Sequence, residues 1–204
     1  SDLKEKLEIP PEVPRNEFDP RDFKENNLIF LIDVSGSMID SNKLQWLKLS
    51  VNNLIKNVRD IEKISIVTYR DTVRCLAENK NNADTAELYQ LIRELKAKGI
   101  TRGNKAIHFA LDLAIRNYLP NGNNQIILAT DGKFPFTEKD YEIWKLKTSD
   151  KKIVLSVLAF GNDKKAIVNL KEISKKGKGN FIQIETLDLA KSAIFEEVKQ
   201  RSKR

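Results

Sequence analysis

Cysteine and histidine are nearly missing from this chain: its 204 residues hold one of each, Cys75 and His108. A lone cysteine closes no intrachain disulfide. Cys75 alternates with Val73 and Ala77 in a β-like pattern, which reads as a small buried hydrophobe. His108 stands beside Ile107 and near Leu111 and reads as a surface or packing residue, not as a base or a ligand. Long apolar runs are also lacking. The longest, Leu28 to Ile32, falls far short of the ~20 residues that cross a bilayer, so no membrane insertion of this segment is expected. The chain opens on polar Ser1 without an apolar leader, and its compartment is not read from that end. Absent too are the G-x-x-x-x-G-K-[ST] phosphate loop, the G-x-G-x-x-G dinucleotide turn and the G-x-S-x-G nucleophile elbow.

What is present fits one domain, since a chain of ~150 residues already buries about two-thirds of its unfolded surface. Hydrophobic residues make up 40% and charged residues 32%, with a net charge of +7. The basic residues are spread over helix faces and tails as a solvated surface, and no nucleic-acid partner is expected.

Pro10, Pro11, Pro14 and Pro20 crowd the start, so residues 1–26 read as an extended proline-containing segment, pinned to the domain by Phe18 and Phe23. The domain itself is expected over 27–200, with a basic tail at 201–204. Within it strands and helices alternate. Strands are predicted at NLIFLIDV, KISIVTYRD, TVRCLAE, QIILATDG, KIVLSVLAFG and NFIQIE. Helices are predicted over 44–58, 84–97 (Asp84 as N-cap, Gly99 as stop), 104–118, 137–148, 164–175 and 188–200. Trp46 and Trp144 read as packing groups, and Lys175-Lys176-Gly177-Lys178 as a solvated loop. This alternation implies a doubly wound, mostly parallel α/β sheet with helices on both faces.

In such sheets ligands bind beyond the carboxyl ends of the strands. Two strands here end in aspartate, Asp33 after LIFLI and Asp131 after IILAT, so both carboxylates should emerge at one sheet edge. After Asp33 the chain runs Val34-Ser35-Gly36-Ser37-Met38. Asp33, Ser35 and Ser37 can turn their oxygens to one side while Gly36 permits a tight bend. Oxygen donors without His or Cys suit a hard cation such as Mg²⁺. A D-x-S-x-S motif alone is also an ordinary helix start. Its place after a buried strand, matched by a second strand-terminal aspartate, favours the cation. Asp40 lies close enough to line the rim, and Asp71 sits in a turn.

LIFLIDVSGSM, KGITRGNKAI and IILATDG together closely resemble the von Willebrand factor type A domain family, over roughly residues 27–200. The resemblance implies a six-stranded Rossmann-like sheet with one short antiparallel edge strand, here TVRCLAE. It also implies a metal-ion-dependent adhesion site of Asp33, Ser35, Ser37, Thr101 and Asp131, holding Mg²⁺ (or Mn²⁺ or Ca²⁺). Ser35, Ser37 and Thr101 would contact the metal directly, and the aspartates often through water. The open position would accept a Glu or Asp carboxylate of a protein partner, which is binding without catalysis. The chain departs from many relatives at Gly99-Ile100-Thr101, where two small residues usually precede the threonine. Ile100 would narrow the rim, and Arg102 could pair with a ligand carboxylate. GNNQIILATDG and KGKGNFIQIE look most like bacterial members, including modules of larger envelope-associated proteins. Two alternatives stay open: a cytoplasmic assembly partner of an ATPase, and a Mg²⁺-dependent phosphohydrolase with Asp33 as nucleophile. The second lacks the acid usually found two residues on, where this chain has Ser35.

Overall fold

The computed structural model describes residues 18–57, 59–99 and 105–204. Six strands form one sheet: β1 (Asn26–Asp33), β2 (Lys63–Tyr69), β3 (Val73–Lys80), β4 (Asn123–Thr130), β5 (Ile153–Phe160) and β6 (Lys178–Ile184). Their order is β3-β2-β1-β4-β5-β6. All neighbours are parallel except β2 and β3, which form an antiparallel edge pair. The helices are α1 (Lys43–Ile55), α2 (Thr85–Glu94), α3 (Ala106–Arg116), α4 (Glu138–Lys147), α5 (Lys164–Lys176) and α6 (Leu187–Ser202).

The apolar residues of the central strands alternate between two cores. Leu28, Phe30 and Ile32 of β1 face α1, α2 and α6. Ile29 and Leu31 face α3, α4 and α5. A strand covered on both faces packs apolar side chains on each, which explains the unbroken run Leu28 to Ile32 in β1. Trp144 is buried against the second core, and Trp46 packs at the margin of the first.

The chain reverses its direction of travel across the sheet between β1 and β4. From β1 it steps to β2 and β3 on one side; β4, β5 and β6 fill the other. Ile32 pairs with Ala129, so the next residues of both strands, Asp33 and Thr130, leave the sheet side by side.

Several expectations are corrected. Cys75 is exposed, not buried. Register shifts in β3 break the simple alternation with Ala77. Ala77 lies opposite Ile66, whose side chain faces the first core, and Cys75 opposite Val67, which faces the second. On that second face α3 packs mainly on β1 and β4 and reaches the edge strand through the Arg116–Glu78 ion pair, which leaves Cys75 uncovered. Lys175 to Lys178 is no loop: α5 ends at Lys176, Gly177 caps it, and Lys178 opens β6. Asp84 makes no side-chain cap for α2. Its carboxylate accepts from Asn81 N in the turn before, at 3.1 Å.

Residues 18–24 are held to the body. Phe18 is buried edge-on against Phe23 and Phe195. Arg59 donates to the carbonyls of Phe18 and Lys24 while paired with buried Glu62. Residues 201–204 likewise do not hang free: Arg201 and Ser202 complete α6, and Lys203 bridges to Phe23.

Candidate metal centre

Beyond β1 the backbone turns through Val34 and Ser35 into a short 3₁₀ segment, Gly36–Asn42. Two backbone bonds tie this turn to the loop after α2: Gly36 N donates to Gly99 O at 2.9 Å, and Lys98 N to Val34 O at 2.9 Å. A Cβ on Gly36 would stand 3.3 Å from Gly99 O, so a side chain there would push the two loops apart.

Asp33 is 2% exposed, and protein groups already engage both its oxygens. Ser35 N donates to Oδ1 at 2.8 Å and Thr130 Oγ1 to Oδ2 at 2.8 Å, with Tyr69 Oη at 3.5 Å from Oδ2. Burial pushes the Asp33 carboxyl above its ordinary pKa, and the charge of Asp131 adds to this; the bonds from Ser35 and Thr130 act against it. Burial likewise drives the Tyr69 hydroxyl far above its usual range, reinforced by the charge on Asp33.

Ser35 Oγ lies 3.2 Å from Ser37 Oγ, and Ser37 Oγ donates to Asp131 Oδ1 at 2.8 Å. Thus Asp33, Ser35, Ser37 and Asp131, read from two distant stretches of sequence, converge at the strand edge. Ser35 is buried, whereas Ser37 opens to solvent. Thr101, with Ile100 and Arg102, lies outside the described residues. Asp40 is exposed on the 3₁₀ segment. His108 contacts Asp140 of α4 at 2.6 Å.

Two participants escaped sequence reasoning. Thr130 precedes Asp131 directly, and its strand-end position next to Asp33 was a usable signal. Lys43 gave none. Its ammonium lies 2.6 Å from Asp131 Oδ2 and 3.3 Å from Ser37 O, yet nothing in the sequence aims the first residue of α1 at the end of β4.

The donor set can be tested against a hard cation. At Mg–O distances of 2.0–2.1 Å, adjacent octahedral ligands stand about 2.9 Å apart. The Ser35–Ser37 and Ser37–Asp131 oxygen separations of 3.2 and 2.8 Å bracket that value. Among the described residues no three His, Cys, Asp or Glu side chains gather as a metal cage. A site here would therefore rest on hydroxyls as much as on carboxylates.

The model of the von Willebrand factor type A domain matches residues 27–197. The chain belongs to this family. The von Willebrand A (vWA) domain is a protein-interaction module present in bacterial proteins and typically not an enzyme, and it often binds metal at its adhesion site. The uncharacterized protein YfbK of Escherichia coli K12 is 33% identical over 178 residues, covering 86% of this chain but only 31% of that protein. Among solved structures, a von Willebrand factor type A protein from Catenulispora acidiphila superposes with a TM-score of 0.70 at 19% identity, over 87% of this chain and 43% of that one. Proximal thread matrix protein 1 from the mussel byssus, with its adhesion motif occupied by zinc, gives 0.64 at 15% identity, over 86% and 48%. Among the described residues, no helix of this vWA domain is long and apolar enough to cross a membrane.

Proposed function

We propose that this vWA domain is a divalent-metal-dependent interaction module. In this reading it holds Mg²⁺, Mn²⁺ or Ca²⁺ through Ser35, Ser37, Asp33, Asp131 and Thr101, and binds a Glu or Asp carboxylate of a protein partner. One observation carries it: the oxygens of Ser35, Ser37 and Asp131 gather at the β1/β4 switch point, at spacings suited to a small hard cation. The serine hydroxyls are neutral, so a metal they hold keeps most of its charge for an outside anion. Asp33 serves the arrangement from beneath. Its Oδ1 fixes the Ser35 backbone, and its buried negative charge favours a cation above it.

The phosphohydrolase alternative is weakened by the same geometry. Asp33 is 2% exposed at the base of the site, which leaves little room for in-line attack on a substrate, and the position two residues on holds Ser35 in place of an acid. Because the Escherichia coli relative extends well past the matched segment, we read the domain as one module of a larger bacterial protein.

The test is capture from an extract of the native source, with Mg²⁺ and then with chelator. A partner retained by the wild type only in Mg²⁺, and lost with Ser35→Ala/Ser37→Ala, supports the reading. Equal retention by both proteins in chelator would refute metal dependence.

A further inference from the structure

One cation is already at the site, and it belongs to the protein. Lys43 Nζ contacts Asp131 Oδ2 at 2.6 Å and Ser37 O at 3.3 Å. This is no solvated surface pair: the Lys43 and Asp131 side chains are only 17% and 4% exposed. Ser37 Oγ holds the other Asp131 oxygen. Each Asp131 oxygen that could face a divalent ion thus already accepts a bond, one from a hydroxyl and one from an ammonium.

The backbone is bent to deliver this ammonium. Ser41 and Asn42, directly before Lys43, both adopt left-handed conformations, with φ of 54° and 59°. Two consecutive non-glycine residues in that region are unfavourable, and such strain persists only where the surroundings impose it. The kink turns the chain from the 3₁₀ segment into α1 and points the first side chain of the helix back toward β4. A Cβ on Gly161, at the end of β5, would stand 3.9 Å from Lys43 Cε and 3.8 Å from Asp131 O, so a bare glycine flanks the lysine stem. Beyond it opens a cavity of about 390 Å³, lined by Lys43, Trp46, Asp131, Asp163 and Glu185 among others. It gives a displaced ammonium both room and acidic neighbours.

We propose that Lys43 is a tethered counter-cation that competes with the divalent metal for Asp131 and so sets the metal concentration at which the site fills. The inference rests on the metal-site reading above. A dication bound against Ser37 and Asp131 meets a positive charge within a few ångströms at a partly buried position, where repulsion is screened less than in bulk water. Metal entry must break the Lys43–Asp131 pair and swing the ammonium into the neighbouring cavity. Lys43 thereby lowers metal affinity while keeping Asp131 paired when metal is scarce.

Calorimetric titration of Mg²⁺ and Mn²⁺ into the chelator-stripped chain decides the matter, with wild type compared to Lys43→Met, Lys43→Gln and Lys43→Arg. Methionine keeps the apolar stem, glutamine covers the case in which methionine fails to fold, and arginine keeps the charge. The expected result is affinity at least about tenfold tighter in the two neutral variants, with Lys43→Arg close to wild type. Binding by the neutral variants where the wild type binds too weakly to detect would support the proposal most strongly. Unchanged or weaker affinity in folded neutral variants would overturn it and leave the metal site standing, since a purely structural ion pair alters the melting temperature and not the metal constant. Silence from every protein would overturn the metal-site reading and this inference together.

Discussion

A carboxylate that is 2% exposed is costly to ionise, and at Asp33 a second carboxylate, Asp131, raises the cost further. Replacing Asp33 with Asn removes that charge, while the amide oxygen can still accept from Ser35 N and the amide nitrogen can donate to the Thr130 hydroxyl. In chelator, Asp33→Asn should therefore be more stable than wild type by roughly 0.5–2 kcal/mol, read from urea denaturation, and should lose any thermal response to Mg²⁺. A less stable Asp33→Asn would mean that the charge is satisfied within the fold. Asp140 shows the opposite balance. Burial alone would raise its carboxyl, but bonds from Thr137 and His108 outweigh this and hold it below the usual range. A depressed carboxyl contributes stability above the unfolded value near 3.9, and that stability fades as pH falls through the lower folded value. Asp140→Asn should thus cost about 1 kcal/mol at pH 7 and progressively less as pH falls below the unfolded value, as melting curves across pH will show. At this scale the motif residues were legible because strand ends and hydroxyl spacing follow from local chain geometry. Lys43 was not, because its approach depends on two left-handed residues and a kink, which no periodicity encodes.

Elements were read more easily than their junctions. Each predicted helix and strand exists, because apolar spacing follows directly from helix and strand periods. The misses lie where irregular backbone intervenes. Cys75 was misplaced by register shifts in β3, and the lysine-rich stretch at 175–178 hid a direct passage from α5 into β6. That passage depends on Gly179, where a Cβ would fall 2.1 Å from Leu155 O and 2.6 Å from Ser156 N. Backbone cannot yield as a side chain can, so Gly179→Ala should cost about 3 kcal/mol or detach β6. Denaturant midpoints will measure the loss, and a midpoint like that of the wild type would mean that β6 sits further from β5 than described.

For the whole molecule, the decisive arrangement is a sheet that reverses between β1 and β4 and is closed on one face by α6. Glu197 of that helix is 3% exposed and accepts from Gln125 Nε2 at 2.8 Å, Ser156 Oγ at 2.6 Å and Asn180 Nδ2 at 2.9 Å. One carboxylate thus ties α6 to β4, β5 and β6. Glu197→Ala should destabilise the domain by about 3–5 kcal/mol, since it strips the partners from a buried polar cluster. Urea denaturation reads this directly, and a cost below about 1 kcal/mol would mean that apolar packing alone seats the helix. The same sheet reversal sets Asp33 next to Thr130 and brings Asp131 to Ser37, so the candidate metal site is a property of topology as much as of motif. The most direct test is the melting temperature of the chain as Mg²⁺ or Mn²⁺ is titrated after chelator treatment, because a ligand that binds only the folded state must raise it by mass action. The account predicts a rise that saturates with metal in the wild type and vanishes in Ser35→Ala/Ser37→Ala, with that variant still folded in chelator. A wild-type melting temperature indifferent to millimolar metal, with no response in the neutral Lys43 variants either, would contradict it.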